Sequence, residues 1–124
     1  MSKQGVKIYI SKTHLRDFSR KIDKANSHVK EQVKKEFQMA TLEVETKAKQ
    51  RVPVDTGRLR SSIQSDFSNI GKFLTRVFTN VEYSKWIEFG SSRMKAKPFL
   101  NPAFQEVKAK LINNLKRIFK GKRF

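Results

Sequence analysis

Apolar side chains recur every three or four positions through the first half of the chain, at Leu15, Phe18, Ile22, Ala25, Val29, Val33, Phe37, Ala40, Val44 and Ala48. Such spacing marks one buried face of a helix. The mean step is about 3.67 residues, nearer an eleven-residue repeat than a heptad, which argues against a simple leucine zipper. The opposite face carries i,i+4 pairs with the acid first, namely Asp17–Lys21, Glu31–Lys35, Glu43–Lys47 and Glu45–Lys49. Val52-Pro53 ends the run, because a residue before proline avoids the α region. An unbroken helix over 13–51 would be roughly 57 Å long. A compact chain of this size is only about 35 Å across. The helix must therefore break, protrude, or bury its stripe against another chain. The segment Ala25-Asn26-Ser27-His28 contains its weakest helix formers, and a break is expected there.

Elsewhere the pattern changes period. Residues 6–10 alternate and read as a short strand. Asp55-Thr56-Gly57 is turn chemistry, and Leu59 and Ile63 share one short helical face. Segments 63–68 and 73–79 read as a β-hairpin around Asn69-Ile70-Gly71-Lys72. Asn80 is placed to cap a short helix over 81–89, with Gly90 as its left-handed end residue. The polar, basic loop 91–97 is expected to be mobile. Asn101 then caps a final helix with Pro102 in its first position. Phe104, Val107, Leu111, Leu115 and Ile118 form its stripe, and Gly121 ends it. The expectation is a single α+β domain over 1–124. It has a strand within 1–10, a long N-terminal helix, a small antiparallel sheet, short helices, a C-terminal amphipathic helix and a flexible basic tail at 116–124.

Composition narrows the function classes. The 124 residues include 28 Lys+Arg against 11 Asp+Glu, a net charge of +17, and no cysteine. Disulfides, thiol nucleophiles and cysteine-based zinc sites are excluded, in keeping with a reducing compartment. No apolar run approaches the roughly 20 residues of a membrane-spanning helix, and MSKQGVKIYI does not read as a secretory signal. The excess charge is spread along the chain and crowds only at Lys116, Arg117, Lys120, Lys122 and Arg123, the candidate contacts for a polyanion. The plainer reading of that cluster is solubility and a frayed terminus.

Catalytic chemistry finds little support. Asp55-Thr56-Gly57 matches the loop of aspartic proteases, but Pro53 precedes it and Arg58 and Arg60 follow. Those arginines would keep carboxylates ionised, against the shared proton that such a dyad needs. His14 and His28 lie about 21 Å apart along a helix, too far to share a metal. Glycine-rich phosphate cradles are absent. Glu88 has no second carboxylate placed for acid–base work and reads as solvated or arginine-paired. No catalytic, cofactor or metal site is expected. Phe67, Phe73, Phe78, Tyr83, Trp86, Phe89, Phe99 and Phe104 read chiefly as core, then as a protein interface, and least as base-stacking platforms.

Three strings carry a resemblance. Pro53-Val54-Asp55-Thr56-Gly57-Arg58-Leu59-Arg60-Ser61-Ser62-Ile63 resembles the P-x-D-T-G-x-L-x-x-S-I signature of tailed-bacteriophage neck and tail-completion (head–tail joining, minor tail) proteins. Tyr83-Ser84-Lys85-Trp86-Ile87-Glu88-Phe89-Gly90 resembles that family's Y-A-x-x-x-E-F-G, with Ser84 in place of alanine. Lys97-Pro98-Phe99-Leu100-Asn101-Pro102-Ala103-Phe104 resembles its closing P-F-L-x-P-A-F. The resemblance covers about residues 37–118.

It implies a non-enzymatic structural protein of the head–tail junction, made in the host cytoplasm and ending in the virion. Its partners would be other neck, tail or connector proteins and further copies of itself in a ring, with no membrane, cofactor or small-molecule substrate. The motif residues Pro53, Asp55, Thr56, Gly57, Leu59, Ser62, Tyr83, Glu88, Phe89, Gly90, Pro98, Phe99 and Pro102 would then be structural. Trp86, Arg93, Lys95, Lys97 and Phe99 are the candidate interface. The alternative is a basic accessory protein that binds nucleic acid non-specifically through its charge.

Overall fold

The long apolar stripe folds as two helices. In the computed structural model, which describes residues 5–53 and 57–120, α1 (Arg16–Lys24) and α2 (Ser27–Arg51) are separated by Ala25 and Asn26. Both junction residues are extended, and Asn26 Oδ1 accepts the Val29 N–H at 2.9 Å as the N-cap of α2. That bond satisfies one of the donors a helix start leaves orphaned. Every member of the stripe is buried on both sides of the break. The stripe is covered within the chain, chiefly where α2 packs against the last helix, α5 (Leu100–Phe119).

The remaining elements are β1 (Lys7–Ser11), α3 (Gly57–Ser62), β2 (Gln64–Asp66), β3 (Leu74–Phe78) and α4 (Ser84–Phe89). The strands form an antiparallel sheet in the order β1-β3-β2, with Ile10 opposite Thr75 and Asp66 opposite Arg76. The fold is thus α+β. On β3, Thr75 and Val77 are buried and alternate with half-buried Leu74, Arg76 and Phe78, the period-two pattern of a strand. A hydroxyl pair joins this face to α2, since Thr41 Oγ1 and Thr75 Oγ1 lie 2.6 Å apart. Thr41 already donates to the Phe37 carbonyl at 2.6 Å. Its single proton being committed, Thr75 must donate to Thr41.

Several boundaries differ from the sequence expectation. In the β2–β3 connection a short helical turn over 70–72 ends on Phe73, which takes the positive φ (56°). The Phe73 ring is buried and meets Phe37 edge-on, centroids 6.0 Å apart, and that burial offsets about 1–2 kcal/mol of left-handed strain. Helix α4 starts at Ser84, later than expected, and Asn80 does not cap it. Gly90 does have positive φ (78°), and a Cβ there would meet Ala96 N at 2.9 Å, so both conformation and space require glycine. Helix α5 starts at Leu100, which makes Pro102 its third residue and removes Asn101 from the cap position. Lys116 and Arg117 lie inside α5, so that part of the expected flexible tail is helix. Lys122, Arg123 and Gly121 lie outside the described residues. Of the helical ion pairs, Glu43–Lys47 (4.0 Å) and Glu45–Lys49 (3.0 Å) form, while Glu31 pairs with Lys34 instead of Lys35.

Candidate functional site

Six residues are too few for a helix to persist alone, and α4 is fastened near both ends. Ser84, fully buried, accepts the Val6 N–H at 3.1 Å and donates to the Val81 carbonyl at 2.6 Å. Glu88 is 5% exposed. Its Oε1 accepts the N–H groups of Phe99 (3.0 Å) and Leu100 (2.9 Å), and its Oε2 accepts that of Asn101 (3.0 Å). These are donors that the first turn of α5 leaves without helical partners, and the helix N-terminus favours an anion. Glu88 is therefore the cap of a helix that begins twelve residues downstream. The solvated or arginine-paired glutamate expected from sequence is corrected, and so is the local cap at Asn101.

With Ile87 and Glu88 turned inward, Trp86 and Phe89 face out at i,i+3, 49% and 74% exposed. The loop that follows is tied back to the body. Lys97 N donates to the Ile87 carbonyl at 2.7 Å, while within the loop Ser91 N donates to Met94 O at 2.9 Å and Arg93 N to Ser91 Oγ at 3.2 Å. Met94 is exposed, as are Arg93, Lys95 and Lys97 around it. Lys85 Nζ stands 5.8 Å from the Trp86 ring centroid. An exposed apolar group with a cationic border is the anatomy of a contact surface. Phe99 does not belong to it. Its side chain is fully buried, which makes it a core anchor and corrects its place among the interface candidates.

The first motif fastens other junctions. Pro53 is half-buried just past α2, while Asp55 and Thr56 lie outside the described residues. Gly57 opens α3, and Leu59 is fully buried. Ser62 donates to the Leu59 carbonyl at 2.7 Å and lies 2.5 Å from Thr79 Oγ1, which itself accepts the Val81 N–H at 3.1 Å. Arg60, which sequence reasoning missed, donates Nε to the Lys49 carbonyl (3.1 Å) and Nη2 to the Val52 carbonyl (3.2 Å). A cation over the last carbonyls of α2 suits both their unmet acceptors and the helix dipole. The only sequence signal for it is a cation shortly after a helix end. Half-buried Tyr83 lies under Arg58, 6.0 Å from ring centroid to guanidinium, and Pro98 is exposed. The motif residues do not line one cavity; among those described, Leu59, Ser62, Glu88 and Phe99 are packed or hydrogen-bonded between elements, while Phe89 and Pro98 are exposed.

The profile of the family described as Bacteriophage HK97-gp10, putative tail-component matches residues 16–90, more than half of the chain. The chain belongs to this family. The HK97-gp10-like match takes in α1 through α4, including Glu88, and stops before the proline-framed string at 97–104. It begins and ends earlier than the span of about 37–118 expected from the motifs. Membership supports a structural phage role, in a family described as tail components. No curated protein and no solved structure matches it. Among the described residues, no helix is long and apolar enough to cross a membrane, and no group of acidic or histidine side chains could hold a metal ion. His14 and His28 are both exposed.

Proposed function

We propose that this HK97-gp10-like protein is a neck or tail-completion component that joins or finishes the tail at the head–tail junction. The role is non-enzymatic and rests on contacts with copies of itself in a ring and with neighbouring neck, tail or connector proteins. The observation that carries the reading is the outward pair Trp86 and Phe89 on a helix pinned by Ser84 and Glu88. Aromatic anchors supply most of the energy of protein interfaces. Anchors that are already rigid lose little freedom on docking, so more of that energy appears as affinity. Arg93, Lys95 and Lys97 around them would steer acidic neighbours.

The test supplies Trp86→Ala, Phe89→Ala and the double variant to a phage lacking its own copy. Plaque yield and electron micrographs of the particles are the readouts. The expected result is folded protein with an unchanged melting midpoint, and tails and heads that fail to join. Normal particles from the double variant would overturn the reading.

A further inference from the structure

We propose that the groove between α1 and the C-terminal half of α5 is a docking site for an acidic amphipathic helix of another protein. The groove lies on elements other than α4 and does not depend on the role given to Trp86 and Phe89. Its volume is about 940 Å³. One helical turn, 5.4 Å high and about 10 Å wide, fills roughly 420 Å³, so about two turns fit. Phe18 and Phe119, stacked with centroids 6.1 Å apart, supply an apolar floor. One wall is an i,i+4 row along α5, Lys108, Ile112 and Lys116, continued by Lys120 just past the helix end. Successive members of such a row are offset by about 40° around the axis and rise about 6 Å per step, so the row winds slowly along the groove. Lys21 stands on the α1 wall, and Asp17 is the one carboxylate among the lining side chains.

Charge identifies the occupant. Where α5 meets α2, cations are matched by Lys110–Glu43 (2.9 Å), Lys47–Glu106 (3.2 Å) and Arg51–Glu106. Among the described residues, Lys21, Lys108, Lys116 and Lys120 enter no ion pair. Unmatched cations over an apolar floor favour a ligand with carboxylates and apolar side chains at helical spacing. A nucleic-acid duplex would use the lysines but, with its bases stacked inside, gain nothing from the floor. A second copy is a poor match, since the chain has 28 basic against 11 acidic residues and Glu43, Glu45 and Glu106 are already engaged.

The probe is a fluorescein-labelled peptide of about three helical turns, with leucine and glutamate at i,i+4 spacing, titrated with the full chain by anisotropy. A scrambled peptide and a short DNA duplex are titrated alongside. The groove variant is Lys108→Glu/Lys116→Glu, and Lys35→Glu/Lys72→Glu is a control of equal charge. The groove variant should weaken peptide binding about tenfold or more, the control less than about threefold. Scrambling should cost about tenfold, because it destroys the apolar face. Equal losses in the two variants, or equal binding of the scrambled peptide, would reduce the effect to bulk charge and overturn the proposal. Duplex binding that falls in the groove variant while peptide binding stays would assign the groove to nucleic acid. Self-association lost in the groove variant would assign it to a second copy. Circular dichroism checks folding. If the charge reversal melts early, Lys116→Gln/Lys120→Gln at exposed positions gives the same readout, with a smaller loss expected and no change counting against the groove.

Discussion

The carboxylate of Glu88 lies 2.9 Å from the backbone nitrogen of Leu100, and the two residues are separated by a glycine turn and an entire basic loop. Through that contact α4 supplies the anion that α5 lacks, since Phe99, the residue at the cap position of α5, offers no side-chain cap. The string E-F-G and the string P-F-L-x-P-A-F are thus the two halves of one joint.

Replacing Glu88 separates charge from shape. In Glu88→Gln one oxygen still accepts two N–H groups, while the new amide NH₂ meets the Asn101 N–H, donor against donor. Leaving a buried donor unmet costs about 1–3 kcal/mol. Glu88→Ala orphans all three donors and should cost more. Urea unfolding at neutral pH should rank wild type above Gln above Ala. A glutamine variant as stable as wild type would show that the anion is unnecessary.

The Thr41–Thr75 pair predicts an asymmetry. Thr75→Val removes a donor and leaves Thr41 still bonded to the Phe37 carbonyl, so the loss should be about 0.5–1.5 kcal/mol. Thr41→Val strands the Thr75 hydroxyl in the core and should cost about 1–3 kcal/mol. Both substitutions keep the side-chain shape. Chemical denaturation of the two variants measures the difference, and equal losses would contradict the proton assignment.

Asp66 predicts a pH dependence. The Ser68 backbone N–H, with help from the Ser68 hydroxyl and the cross-strand Arg76 guanidinium, lowers its carboxyl from 3.8 to about 2. A lowered folded pKa means stability that is fully present above the unfolded value near 3.8 and lost as pH falls toward about 2. Wild type should therefore be more stable than Asp66→Asn at neutral pH, with the gap closing between about pH 4 and pH 2. Melting midpoints of both proteins across that range provide the measurement. A gap that stays constant would show that the carboxylate's charge is not what matters.

The elements that could be read from sequence are those whose signals are local. The apolar stripe predicted α1 and α2, and the weak helix formers at 25–28 marked their break because propensity belongs to each residue in place. The hairpin strands and the glycine at 90 were legible for the same reason. The joint at Glu88 was not, because its donors lie eleven to thirteen residues away and meet it only once α5 has docked. Local rules even pointed elsewhere, to Asn101 and Pro102. In the same way a short run, Trp86-Ile87-Glu88-Phe89, reads outside-in, with the charged side chain buried and two aromatics exposed. Hydrophobicity alone sorts all but Ile87 wrongly, and hydrogen bonding to a distant helix decides it.

The hydroxyl of Ser84 and the carboxylate of Glu88 grip opposite ends of the same short helix, one toward β1 and the other toward α5. A load on the Trp86 edge is thereby divided between the sheet and the final helix. A partner that took hold of that edge would pull on both at once, as a key turns both sides of the barrel it enters.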